Sequence, residues 1–173
     1  MTLVTMQKQQ FESMSDERLG WACIAPTLQQ IRGREIAVKT AAIARLNKGQ
    51  QALCMFRVLY DHAKNSAGEY YAWLACILDT PGYWEGVSGG LHFFDDQAML
   101  DLLERTRVVI EARDRRPGVS LYDVSITDLD GDQELRSTIT LLFEQFIDTA
   151  AHSLQQIAVY IRSHPQQFVL FEE

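Results

Sequence analysis

The chain has 173 residues, of which 47% are hydrophobic and 23% are charged, and its formal net charge at pH 7 is −7. A chain of this length fits one domain with a sizeable core, and the composition is that of an ordinary globular protein. No apolar run approaches the ~20 residues that a membrane-spanning helix needs. The start of the chain has no basic segment followed by an apolar one, so we predict a soluble protein in a reducing cytoplasm.

The negative charge is concentrated in the last third of the chain. Residues 1 to 117 contain 14 basic and 14 acidic side chains, whereas residues 118 to 173 contain 2 basic and 9 acidic, a difference of −7. Direct nucleic-acid binding is not expected, because contact with phosphates requires a basic face. The acidic side chains either keep the protein in solution or form a docking surface for a basic protein. The candidates for such a surface are Asp123, Asp128, Asp130, Asp132 and Glu134.

Helical segments follow one another through the first part of the chain. Residues 6 to 15 are polar with scattered apolar side chains and are interpreted as a loose first helix. From residue 16 to residue 46, apolar side chains recur at helical spacing, with interruptions at Pro26 and Gly33. Pro26 either starts a new helix or kinks a long one, since proline is accepted in a first turn and bends a helix interior. Asn47-Lys48-Gly49 is interpreted as a helix stop.

Two very apolar stretches, ALCMFRVLY and YYAWLACIL, follow this stop. Neither stretch alternates at period two, and their composition favours helix over strand. In the polar break between them, Ser66 and Glu69 have the spacing of a capping box, which marks a new helix start. We therefore predict helices at 50 to 64 and 69 to 79, and we place them at the centre of a bundle because both are apolar over most of their surface.

The rest of the chain alternates between connections and helices. Residues 79 to 94 are rich in glycine and aromatic side chains and are predicted to form a loop with room for one helical turn. The glycines of this segment match no phosphate-binding motif. Asp95 is predicted to be the N-cap of the next helix. After a connection at 119 to 130, residues 131 to 163 carry one broad apolar face and predict a long helix. The apolar tail at 168 to 171 is predicted to fold back onto the bundle.

These elements predict an all-α fold: a single domain, residues 1 to 173, built as a bundle of about six helices with a long C-terminal helix. We expect no catalytic residue, no metal and no cofactor, because the motifs searched for are absent. The row Glu144, Asp148 and His152 lies on the polar face of its helix and is interpreted as solvated. The three cysteines are interpreted as buried small hydrophobes: Cys23, Cys54 and Cys76.

Two functions follow as hypotheses. The first is a non-enzymatic interaction module that presents the acidic last third to a basic protein. The alternative is a bundle that binds a small molecule or metal among aromatic side chains. Arg57 is interpreted as a structural partner of Asp61 one turn later, with a ligand-binding arginine as the alternative. The residues of the possible ligand pocket are Tyr70, Tyr71, Trp73, Tyr83, Trp84 and His92.

One resemblance adds to this interpretation. The segments LNKGQQALCMFRVLYDHAKNSAGEYYAWLA and GLHFFDDQAMLDLLE, separated by a glycine-bearing loop, cover about a third of the chain. In the order of these features the chain resembles a bacterial helical domain family of mostly unknown function, whose characterised member is an acidic DNA-mimic protein. The resemblance implies an all-α fold and a non-enzymatic role in binding another protein.

Overall fold

The computed structural model of the chain describes residues 3–114 and 124–172, and within these ranges the fold is all-α. Nine helices, two short strands and one 3-10 turn lie in the described ranges, three helices more than the sequence predicted. None of these helices is long and apolar enough to cross a membrane. The elements are β1 (Val4–Met6), α1 (Lys8–Ser13), α2 (Asp16–Ile31), α3 (Ile36–Ala44), α4 (Lys48–Ala63), α5 (Ala67–Asp79), α6 (Tyr83–Phe93), α7 (Gln97–Asp114), α8 (Asp128–Gly131), α9 (Gln133–Ser163) and β2 (Val169–Phe171), with the 3-10 turn at Pro165–Gln167.

Both predicted central helices are present, and side-chain caps mark where they begin. At the start of α4, the backbone N–H of Gln50 donates to Asn47 Oδ1 at 2.9 Å, and Gln50 Oε1 accepts from the Asn47 backbone N–H at 3.3 Å. This reciprocal pair is a capping box. The segment predicted as a stop is therefore also the start signal of α4, which sequence analysis missed. At α5 the Ser66 half of the predicted capping box is confirmed, because the Glu69 N–H donates to Ser66 Oγ at 3.1 Å. The Glu69 carboxylate instead accepts from Asn65 Nδ2 at 2.6 Å.

The core forms around α4, which contacts α2, α3, α5 and α6, while α9 packs against α2, α5 and α7. Phe56 and Tyr70 project into this core from α4 and α5 and are fully buried together with Phe146 of α9. The Tyr70 and Phe146 ring centroids lie 4.9 Å apart, and the Tyr70 hydroxyl lies 2.7 Å from Thr106 Oγ1. The hydrogen bond satisfies the hydroxyl, which is the one polar group of that side chain. The ring can therefore be buried without the free-energy penalty of an unpaired polar group.

The prediction of a loop at 79 to 94 is wrong, because most of this segment forms α6. Its glycines lie where α6 approaches α4. A Cβ atom on Gly90 would lie 3.0 Å from the carbonyl oxygen of Ala52, and one on Gly86 would lie 2.8 Å from Cε of Met55. These residues therefore allow two helix backbones to come close together. Among the glycines of residues 79 to 94, only Gly82 has the left-handed conformation expected of a turn glycine, with φ +80° just before α6.

The structure also settles how α2 passes Pro26 and where α7 begins. α2 runs without interruption through Pro26, so this proline does not start a new helix. α7 starts one residue later than predicted. Asp95 has a φ of +58° and lies outside the helix, and the Met99 N–H donates to Oδ1 of Asp96 at 3.1 Å. Asp96 is therefore the N-cap, and the prediction of Asp95 was wrong by one position.

The two ends of the described chain are joined. β1 and β2 pair in parallel with Val4 opposite Val169, and the backbone N–H of Val4 donates to the carbonyl of Phe168 at 2.9 Å. Phe168 and Val169 are buried. The prediction that the apolar tail folds back onto the bundle is thus confirmed, although neither strand was predicted. Three residues per strand are too few to give a clear alternating pattern in the sequence.

Candidate functional site

The acidic residues of the last third have unequal roles in the structure. Asp128 lies 3.0 Å from Nη2 of Arg113 with both side chains largely buried, and it also accepts from the Ser125 backbone N–H at 2.9 Å. Asp132 caps α9 by accepting from the N–H of Leu135 at 3.0 Å. These two carboxylates stabilise local structure.

The remaining acidic candidates are more exposed. Asp130 is paired with Arg136 at 3.0 Å, yet its side chain is 77% exposed. Glu134 is exposed in the first turn of α9, where it complements the helix dipole. Asp123 lies outside the described residues. Of the five predicted docking residues, the structure therefore places Asp130 and Glu134 on an open surface.

The six aromatic and histidine candidates are dispersed. Tyr70 and Tyr71 are completely buried in the core, and burial raises the pKa of each hydroxyl to about 12. Trp84 lies under the guanidinium of Arg107, 5.2 Å from its centre, and His92 is exposed. The other two, Trp73 and Tyr83, line a cavity whose remaining residues were not predicted.

This cavity, which we call the Arg57 cavity, has a volume of about 470 Å³ and lies between α2, α3, α4 and α5. A second cavity of about 460 Å³ adjoins the first between α3, α4 and α6. The two cavities share Thr40, Ile43, Met55 and Tyr83. α3 itself has no fully buried residue, so it covers the space between the two cavities without filling it. The Arg57 cavity is lined by Trp21, Leu28, Gln29, Ile31, Arg32, Gly33, Lys39, Thr40, Ile43, Met55, Arg57, Val58, Asp61, His62, Trp73 and Tyr83.

Arg57 is the most unusual member of this lining, because it is only 3% exposed. Its Nε and Nη2 donate to the two carboxylate oxygens of Asp61 at 3.1 and 2.5 Å, which confirms the predicted pair. Its Nη1 is buried and has no hydrogen-bond partner within residues 3–114 and 124–172. The guanidinium carbon lies 5.2 Å from the Trp21 ring centroid and 5.3 Å from that of Tyr60. A buried charged group thus keeps one donor unused.

A second ion pair adjoins that of Arg57 and Asp61. Lys64 Nζ is 3.9 Å from Asp61 and 3.0 Å from Glu17, and it lies over the Tyr60 ring at 4.7 Å. Burial, followed by the charge of Glu17, raises the pKa of the Tyr60 hydroxyl, which therefore stays neutral. Glu17 is thus the nearer partner of Lys64, and Asp61 remains the bidentate partner of Arg57.

The opposite wall is formed by an aromatic pair. The rings of His62 and Trp73 stack with their centroids 4.1 Å apart and an interplanar angle of 12°. Trp73 Nε1 donates to the carbonyl of Val58 at 2.9 Å, so its orientation is fixed by the preceding helix. This pair gives the cavity a flat surface suited to a planar ligand.

No group of three His, Cys, Asp or Glu side chains in the described ranges could hold a metal ion. Burial raises the pKa of the Cys23 and Cys54 thiols to about 12, which agrees with the interpretation of these two as small hydrophobes. Cys76, in contrast, is exposed, so the prediction that it is buried was wrong. It occupies the outward side of an otherwise apolar helix, a position that composition alone did not reveal.

Trp21 and His62 were not predicted as site residues, and Arg57 was interpreted as structural with ligand binding as the alternative. The spacing of Arg57 and Asp61 was the only local signal, and it predicts the ion pair but not the unused Nη1. Trp21 comes from α2, and no pattern in the sequence connects it with residues of α4 or α5. No protein-family model, curated protein or solved structure matches this chain. The functional argument therefore depends on the site itself.

Proposed function

We propose that this chain is a cytoplasmic binding protein that holds a small, partly aromatic molecule in the Arg57 cavity. The observation that supports it is the buried guanidinium of Arg57, which has an unused donor and lies in a wall that also contains the aromatic rings of Trp21 and Trp73. Ligand cavities in proteins typically have volumes of about 300–1,000 Å³ and combine apolar walls with a few polar groups. A volume of about 470 Å³ lies in this range.

The unused donor is difficult to explain by stability alone. Leaving a buried donor without a partner costs about 1–3 kcal/mol, and more for a charged group. A methionine at this position would fill similar space without the penalty, and replacing a buried ion pair by apolar side chains is often neutral or stabilising. A ligand that accepts a hydrogen bond from Nη1 would remove the penalty.

The proposal is tested with a neutral aromatic probe, 2-naphthamide, and the indole N–H signals of a ¹⁵N-labelled sample. Trp21 and Trp73 line the cavity, whereas Trp84 does not. Titration is expected to shift the signals of Trp21 and Trp73 in a saturable manner and to leave that of Trp84 unchanged. Each signal is assigned from the corresponding Trp→Phe variant.

A matched pair of variants on α3 gives the control. Ile43→Phe adds a ring inside the space that both cavities share and is expected to abolish saturable binding. Val38→Phe adds a ring on the same helix, but at a position that is 51% exposed and lines neither cavity, so binding should be retained. If Ile43→Phe binds 2-naphthamide as the wild type does, or if Trp84 shifts with the others, the cavity is not the binding site.

Acidic docking, the first of the two hypotheses from the sequence, is kept as a second proposal. It is supported by the exposure of Asp130 and Glu134 at the start of α9. In the described part of the last third, the two basic side chains Arg136 and Arg162 are already paired with carboxylates. A basic protein could approach this surface without meeting a free cation, and the exposed charges would accelerate the encounter.

Its test uses Asp130→Asn with Glu134→Gln, because changing Asp128 or Asp132 would also disturb an ion pair or a helix cap. The association rate is measured for a basic protein captured on the wild-type chain, and it is expected to be lower with this variant. With the wild type the rate should fall as salt rises, because added salt shortens the Debye length, which is ~8 Å at physiological ionic strength. Glu144→Gln with Asp148→Asn makes the same charge change further along α9. Equal rates for all three proteins at low salt would contradict acidic docking.

A further inference from the structure

We infer that the molecule held in the Arg57 cavity carries a carboxylate, which accepts hydrogen bonds from the free edge of the Arg57 guanidinium. This inference rests on the proposed small-molecule function and specifies the chemical class of the ligand. Three observations carry it: the donors that Asp61 leaves unused, the charge of the cavity lining, and the position of Trp21 over the guanidinium.

The first observation concerns hydrogen-bond capacity. A guanidinium has five N–H donors arranged in a rigid plane and can bind a carboxylate through either of two edges. Asp61 occupies the edge formed by Nε and Nη2. The edge formed by Nη1 and the second N–H of Nη2 stays available, and Nη1 has no partner among the described residues. A second carboxylate fits this edge in the same bidentate geometry as Asp61.

The second observation is electrostatic. The lining contains three permanent cations, Arg32, Lys39 and Arg57, and one carboxylate, Asp61, a balance of 3 − 1 = +2. An anion entering this space is attracted, whereas a cation is repelled. The wall formed by Trp73 stacked on His62 accepts the apolar body of the same ligand.

The third observation concerns access. Nη1 is not reached by solvent, and the Trp21 ring lies 5.2 Å from the guanidinium carbon. Trp21 is nevertheless 40% exposed on the outer side of α2, so its ring can swing outward into solvent without disrupting the core. A carboxylate that reaches Nη1 takes the place of this ring. The Trp21 indole signal should therefore respond more strongly to a carboxylate than to a neutral compound of the same shape.

The experiment compares 2-naphthoate with 2-naphthamide, which have the same ring system and differ in charge. With wild-type protein, calorimetry is expected to show about tenfold tighter binding of the carboxylate, since a hydrogen bond to a charged group contributes about 1.5 kcal/mol or more. In Arg57→Met/Asp61→Asn, which removes both charges of the pair, most of this preference should be lost, because the bidentate donors are gone and only the charges of Arg32 and Lys39 remain. The ¹⁵N spectrum of that variant shows whether it is folded.

A second measurement does not depend on a variant. The Nε–H signal of Arg57 in the wild type should move on titration with 2-naphthoate and stay in place with 2-naphthamide. If 2-naphthamide binds in the cavity but 2-naphthoate binds no more tightly, the inference is overturned while the proposed function stands. A preference for the carboxylate that persists undiminished in the double variant would assign the anion to Lys39 or Arg32 and also overturn it. If neither compound binds, the proposed function fails, and the inference fails with it.

Discussion

Replacing Phe56 by alanine is expected to lower the free energy of unfolding by about 3–5 kcal/mol. Phe56 is 1% exposed in the middle of α4, and its ring stacks on that of Tyr60 with the centroids 5.7 Å apart. The substitution removes the transfer free energy of a whole ring and leaves a cavity, because α4 is held on several sides by α2, α5 and α6 and cannot collapse into the space. Urea denaturation followed by circular dichroism gives the value.

Val108→Ala is the control for this measurement. Val108 is 64% exposed on α7, so shortening its side chain should change the stability by no more than about 0.5 kcal/mol. An unfolding midpoint for Phe56→Ala that lies as close to the wild-type value as that of Val108→Ala would show that the core is not centred on α4.

Adding a methyl group at Gly90 is expected to destabilise the protein, whereas the same change at its neighbour Gly89 should stabilise it. A Cβ on Gly90 would lie 3.0 Å from the Ala52 carbonyl oxygen and 3.3 Å from the Ala52 Cα, which are backbone atoms and cannot rotate away. Overpacking of this kind costs about 1–3 kcal/mol. No atom lies within 4 Å of a Cβ built on Gly89, so Gly89→Ala should gain the helix preference of alanine, about 0.5–1 kcal/mol.

The two alanine variants are compared by thermal and urea denaturation under identical conditions. Both substitutions lie in the interior of α6 and make the same change of glycine to alanine. A difference in stability between the two variants therefore measures the effect of the contact with α4. If Gly90→Ala were as stable as Gly89→Ala, the close approach of α6 to α4 would be incorrect. The wall of the second cavity, which both helices form, would then have to be revised as well.

Sequence alone predicted much of the helical content and several of its boundaries. Apolar periodicity placed α4, α5 and α9, and the spacing of Ser66 and Glu69 located the start of α5, since both signals arise from residues within one or two turns of each other. The pair of Arg57 and Asp61 was predicted for the same reason. These features depend on local chain geometry, which a single helix determines without its neighbours.

The tertiary structure decided the features that depend on how helices meet. The glycines of α6 favoured a loop when considered locally. In the structure Gly90 lies against the backbone of Ala52 and is a position of close helix packing, whereas Gly89 faces open space. The Arg57 cavity likewise depends on how helices pack. Trp21 lies far in sequence from Arg57, yet its ring covers the guanidinium. Burial of Nη1 without a partner results from the relative placement of α2, α3 and α4. No residue pattern within one helix encodes that placement, because it is fixed by packing over the whole core.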